Sequence, residues 1–208
     1  MKNKNTQENK YKNETHNFIK FVFGRSRRLN QINRFNIRFR SYDEKVSSHS
    51  YYVTLYSLIL SDFLTEMGYK IDTKKVIYCS VLHDVEESIS GDTIRPFKLQ
   101  FKKEYDELAK LSAKEVLNDL PTNLRDKYLK YWEKDEDCIE FLIVRIADDL
   151  SGLVYCSEQT KLGNKTFGPI YDDYKMHLTR KLKRMENTQL SEGIMNAIKI
   201  EILTNDEI

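Results

Sequence analysis

The chain has 208 residues, 40% of them hydrophobic and 32% charged, with a formal net charge of +2. That is enough apolar material for one domain core under a well-solvated surface, while 7 Gly and 3 Pro are too few turn-formers for a sandwich or barrel of many short strands. A mean hydropathy of −0.62, with no apolar run near the roughly 20 residues of a membrane helix, excludes a helical membrane protein, and three widely spaced cysteines without a CxxC pair (Cys79, Cys138, Cys156) exclude a disulfide scaffold and suit reduced thiols.

Charge is unevenly placed along the chain. Residues 1–30 carry eight Lys/Arg against Glu8 and Glu14, a net +6 that leaves −4 for residues 31–208. The Asn/Lys-rich opening has no apolar signal segment and reads as a flexible basic lead over residues 1–17, with an ordered domain expected over 18–208. Such a lead can hold a polyanion electrostatically, although a solvated segment is the simpler reading and nucleic acid is not expected as a partner. A cytoplasmic location, with no membrane association, is the matching expectation.

From Ser47 to Met67 the positions Tyr52, Val53, Tyr56, Leu60, Phe63, Leu64 and Met67 recur at spacings of three and four, the stripe of an amphipathic helix. Gly68 stands where that helix should stop. Val76, Ile77, Val81, Leu82 and Val85 predict a second helix over Thr73–Ser88, broken by Gly91. Leu99–Leu117 reads as a third, closed by Pro121, and a short one follows at Leu124–Trp132. Asp137–Gln159 is the most apolar stretch, with Ile139, Leu142, Ile143, Ile146, Leu150, Leu153 and Val154 giving it a wide buried face. Two terminal helices fit Tyr171–Met185 and Leu190–Leu203. No stretch alternates long enough to require a strand, so the expected fold is all-α, a single bundle of about six or seven helices.

Four features of these helices carry chemistry. His49 opens the first long helix, His83-Asp84 stands near the end of the second with Glu87 one turn on and Asp92 beyond the glycine, and Asp148 sits midway along the most apolar helix. Imidazole and carboxylate together suit a borderline divalent ion such as Zn, Co, Mn or Fe. Such an ion, with positions left open, lowers the pKa of its water and polarises a phosphoryl oxygen. Taken singly, each residue has a plainer reading: a buried His is commonly a hydrogen-bonded core residue, and Asp148 can pair with Arg145.

The combination is more specific than its parts. The order His … His-Asp … Asp resembles the HD-domain metal-dependent phosphohydrolases, and in particular their bacterial 5'-deoxynucleotidase branch. The likeness runs from about Gln31 to Phe167. It rests on INRF at Ile32–Phe35, VSSHS at Val46–Ser50, LHDVEESISGD at Leu82–Asp92, Pro96-Phe97-Lys98, RIADDL at Arg145–Leu150 and CSEQTKLGN at Cys156–Asn164. The resemblance implies metal ligands at His49, His83, Asp84 and Asp148, one divalent ion, and a catalytic glutamate at Glu87, with Glu86 at a variable position. It implies substrate contacts from Arg34, Phe35, Asp92 and Glu133, and a homodimer. Arg is suited to phosphate because its planar fork donates two parallel hydrogen bonds. Phe35 stands where these enzymes carry Trp, Tyr42 stands where an Arg would be, and Arg38 and Arg40 fall outside the arginine register. These departures touch the substrate pocket and spare the metal ligands.

The implied activity is hydrolysis of the 5'-phosphate of deoxyribonucleoside monophosphates. A second enzymatic reading keeps the metal site and releases triphosphate from deoxynucleoside triphosphates or pyrophosphate from alarmones, with Arg34, Arg38, Arg40, Arg95 and Lys98 as the cations. A reading of another class is a non-catalytic nucleotide or nucleic-acid binder on the same scaffold, against which the intact ligands and Glu87 argue.

Overall fold

Helices account for all the regular structure among the described residues (2–133, 135 and 137–203) of the computed structural model. In chain order these are α1 (Lys2–Phe23), a 3-10 turn (Arg25–Asn30), α2 (Val46–Glu66), α3 (Thr73–Leu82), α4 (Glu87–Ser90), α5 (Arg95–Gln100), α6 (Lys102–Leu117) and α7 (Thr122–Trp132). Then come α8 (Ile139–Lys161), a second 3-10 turn (Lys165–Phe167), α9 (Gly168–Arg184) and α10 (Thr188–Leu203). The one β feature among these residues is an isolated antiparallel bridge between Asn33 and Lys45. The all-α expectation holds.

The segments outnumber the six or seven expected because α1 precedes them and two helices predicted as continuous are broken. The helix that begins at Thr73 ends at Leu82, not Ser88. Beyond it the amides of Val85, Glu87 and Ser88 reach back three residues, to Leu82 O (3.1 Å), Asp84 O (3.1 Å) and Val85 O (3.3 Å), an overwound 3-10 pattern. Val85, Glu86, Glu87 and Ser88 in this tightened turn are all buried. The predicted Leu99–Leu117 helix is likewise split at Phe101, whose φ of −119° and ψ of 45° leave the helical region.

At the other end, α1 begins at Lys2, within the stretch expected to be a flexible lead; Met1 lies outside the described residues. Lys, Glu and Gln accommodate a helix without needing a buried face, and from Tyr11 onward this one exposes Tyr11, Phe18, Ile19, Val22 and Phe23.

The chain passes back and forth between two compact units. The first comprises Met1–Arg38, Lys45–Ser50 and Val81–Lys134; the second Phe39–Glu44, Tyr51–Ser80 and Asp135–Ile208. The core of the first unit joins Leu82 and Val85 to Tyr105, Ala109, Ala113, Val116 and Leu117 of α6, with Leu120 and Trp132 closing it and the half-buried Phe21 packed against it. Arg25 ties the first 3-10 turn to α6 through Glu115, at 2.5 Å.

The second unit is built on α8, whose Phe141, Leu142, Ile143, Val144, Ile146, Ala147, Leu153, Tyr155 and Cys156 are buried. α9 packs against it, and Gly152 is the point of closest approach, since a Cβ there would overlap the Tyr174 ring. Gln159, wholly buried, accepts from Ser41 N (2.7 Å) and donates to Tyr42 O (3.1 Å), while Tyr155 Oη donates to the same carbonyl (2.8 Å). These bonds pin the Phe39–Glu44 segment to α8.

Candidate active site

The first unit gathers most of the sequence-predicted residues. The INRF segment is clipped to the start of α2 by the Val46 N–H donating to Ile32 O at 3.0 Å and by Lys45 Nζ donating to Asn33 Oδ1. One turn into α2, His49 is 1% exposed and its ring faces inward. His49 Nε2 and His83 Nε2 lie 3.5 Å apart. Asp84 Oδ2 is 3.0 Å from His83 Nε2 and 3.6 Å from His49 Nε2.

This donor set answers the question of a metal. Two imidazole nitrogens and one carboxylate oxygen converging on one another are the mixed N/O ligands that a borderline divalent cation takes. Without a shared cation, two close Nε2 atoms must compete for protons beside one carboxylate. The residues present therefore fit a divalent ion.

Glu87 follows at the start of α4, 3% exposed. Burial, followed by the charge of Asp84, holds its carboxyl well above the usual carboxylate range. Lys98 of α5 reaches it, with Nζ 3.2 Å from Glu87 Oε1 and 5.2 Å from the Tyr105 ring centroid. Burial works against the charge on Lys98, but Glu87, Tyr105 and Asp84 outweigh it and keep the ammonium protonated. Glu86 makes a different contact, accepting a hydrogen bond on Oε2 from Trp132 Nε1 at 2.7 Å. Burial and the neighbouring Asp84 push Glu86 up to about 7.

Gly91, at φ 72°, turns the chain out of α4 in a conformation that favours glycine. Asp92 then meets the INRF segment: Phe35 N donates to Asp92 Oδ2 at 2.8 Å, and Asn36 Nδ2 donates to Asp92 O at 2.9 Å. Phe35 itself sits at φ 53°, rare for an aromatic residue, and the Arg34 guanidinium lies 5.1 Å from its ring centroid. Arg34, Phe35 and Asp92, predicted together as substrate contacts, thus form one linked turn.

Two predicted residues remain. Glu133, just past α7, is exposed and pairs with Lys110 at 3.0 Å. Asp148 belongs to α8 in the second unit, where Arg145 Nη1 donates to its Oδ2 at 2.7 Å, the pairing the plainer reading anticipates. The adjacent Asp149 is buried and engaged by Lys181 Nζ at 2.5 Å. Sequence reasoning missed Lys98 as the partner of Glu87 and Trp132 as the partner of Glu86. Pro96-Phe97-Lys98 was a signal for the first; no spacing rule links residues 46 apart for the second.

A family model described as 5'-deoxynucleotidase YfbR-like matches residues 20–197. The chain belongs to the YfbR-like family. This YfbR-like chain is 27% identical over 150 residues to a 5'-deoxynucleotidase of Photorhabdus laumondii, covering 70% of this chain and 76% of the relative. It is 26% identical over 155 residues to the 5'-deoxynucleotidase YfbR of Salmonella paratyphi B, with the same two shares covered. Among solved structures, an HD-domain phosphohydrolase from Listeria innocua is similar at a TM-score of 0.76 and 19% identity, over 89% of this chain and 90% of that one. The cyanophage S-2L HD phosphohydrolase, bound to dA and one catalytic Zn2+, is similar at a TM-score of 0.55 and 14% identity, over 86% and 95%. The YfbR-like fold is that of the HD-domain phosphohydrolases.

Proposed function

We propose that this YfbR-like protein is a metal-dependent 5'-deoxynucleotidase that releases phosphate from deoxyribonucleoside monophosphates. The observation that carries the reading is the convergence of His49 Nε2, His83 Nε2 and Asp84 Oδ2 one turn before the buried Glu87. In the proposal these three residues, with Asp148 by its place in the motif, hold one divalent ion (Co, Mn, Zn or Fe). When bound, the ion supplies an acidified water and a polarised phosphoryl oxygen.

Glu87 accepts the proton of the attacking water on its carboxylate. A carboxyl held above its usual range retains that proton well enough to return it to the departing 5'-oxygen. Lys98, at 3.2 Å, fixes the Glu87 carboxylate. Arg34 is assigned to the phosphate, Phe35 and Asp92 to the deoxyribose, and Glu133 to the rim of the pocket. A 2'-hydroxyl would then need space and a hydrogen-bond partner that such a surface withholds. The cations invoked for a triphosphate substrate are partly engaged, since Lys98 pairs with Glu87 and Arg40 with Asp43, which favours the monophosphate. The same proposal includes a homodimer and a cytoplasmic protein; no helix among the described residues is long and apolar enough to cross a membrane.

The test is release of phosphate, pyrophosphate and triphosphate from matched deoxy- and ribonucleotide panels, after metal removal and addition of Co, Mn, Zn or Mg in turn. Metal-dependent phosphate release confined to deoxynucleoside monophosphates, and lost in Asp84→Ala, is the expected result. Triphosphate or pyrophosphate release would replace the substrate class. Binding without any release would leave a nucleotide-binding protein.

A further inference from the structure

Glu86 has no part in the chemistry above, yet it is 3% exposed, and its hydrogen-bond partner Trp132 belongs to the apolar core of the first unit. A leucine there would need no hydrogen bond, whereas a carboxylate must be satisfied or it opposes folding. Trp132 Nε1, itself on a 7% exposed residue, satisfies it at 2.7 Å. The turn that Glu86 occupies is not regular α-helix: α3 has ended at Leu82, α4 spans four residues, and the amides of Val85, Glu87 and Ser88 reach back three positions. Val85 anchors the turn by apolar contact, which has no direction. The Glu86–Trp132 bond has direction, and it acts on a residue flanked by Asp84 two positions before and Glu87 one position after.

We propose that Glu86 and Trp132 form a positioning clamp that sets the rotation of the His83–Glu87 turn. In this role the clamp aims Asp84 and His83 at the metal and Glu87 at the reacting water. Neither residue touches substrate; Trp132, at the end of α7, carries the register of that helix into the site. The inference rests on the assignment of His83, Asp84 and Glu87 made above.

The test uses the full chain, with Mn2+ alone as the binding probe, read as free Mn2+ by electron paramagnetic resonance, beside thermal melts and phosphate release. Trp132→Phe and Glu86→Leu should each weaken Mn2+ binding by about 10–100-fold, as the loss of groups that orient metal ligands does. Glu86→Gln keeps an oxygen acceptor for the indole N–H and should stay within about threefold of wild type. The double variant Glu86→Leu/Trp132→Phe leaves no buried group unpaired, so it should recover Tm while Mn2+ affinity and kcat stay low. Recovery of Mn2+ affinity together with Tm in the double variant, or an unchanged affinity in Trp132→Phe, overturns the clamp and leaves a packing role. Asp84→Ala separates the two readings. If it abolishes Mn2+ binding, the metal site stands whatever the clamp variants do; if wild type binds no Mn2+ through Asp84, the clamp falls with the site.

Discussion

Two imidazole nitrogens 3.5 Å apart cannot both carry protons aimed at each other, and in the proposal His49 and His83 share a divalent cation with Asp84. The division of labour among the acidic residues follows from that. Asp84→Ala should remove metal binding and phosphate release together. Glu87→Gln should keep metal binding while kcat falls by about 10²–10⁴-fold, the range of a lost acid–base group; equal loss of metal in both variants would make Glu87 a ligand instead. Among the thiols, Cys79 is buried and pushed up to about 11, by burial first and then by the charge of Cys138. Cys138 is only half-buried at the start of α8. Iodoacetamide at neutral pH should therefore label Cys138 well before Cys79, as peptide mapping by mass spectrometry would show.

At the level of elements, two glycines in helices should respond oppositely to the same change. Gly152→Ala places a methyl group in the Tyr174 ring, and the α8–α9 contact should weaken by about 1–3 kcal/mol, the cost of overpacking. Gly193 in α10 has open space around its missing Cβ, so Gly193→Ala should stabilise by roughly 0.4–1 kcal/mol. Urea denaturation of the two variants measures both signs. The Arg34–Phe35 turn depends similarly on Asp92. Asp92→Ala strips the partner from the Phe35 N–H at φ 53° and should cost about 1–3 kcal/mol, raising KM for the nucleotide as the turn relaxes. Asp92→Asn keeps an acceptor and should retain most of that stability.

For the whole molecule, a ligand that binds only the folded chain must stabilise it. Metal at about 100 times its Kd should add about 2.7 kcal/mol, which for a chain of this size raises Tm by about 5–10 °C; EDTA should reverse the shift, and Asp84→Ala should abolish it. Much of this was legible in the residues themselves. Apolar spacings of three and four marked the helices, because one buried stripe repeats with the helical period, and the ordered His, His-Asp and Glu87 set pointed to the family without coordinates. Periodicity could not show the break after Leu82, because the partners of that turn stand on α6 and α7, remote in sequence. Nor could it show that the chain alternates between two units, that Asp92 holds Phe35 at positive φ, or that Trp132 reaches back 46 residues to Glu86. Local pattern determined that the chain is helical and which family's motif it carries. Only tertiary packing decided where those helices stop and which buried polar group meets which partner, since both depend on contacts between segments that no local spacing relates.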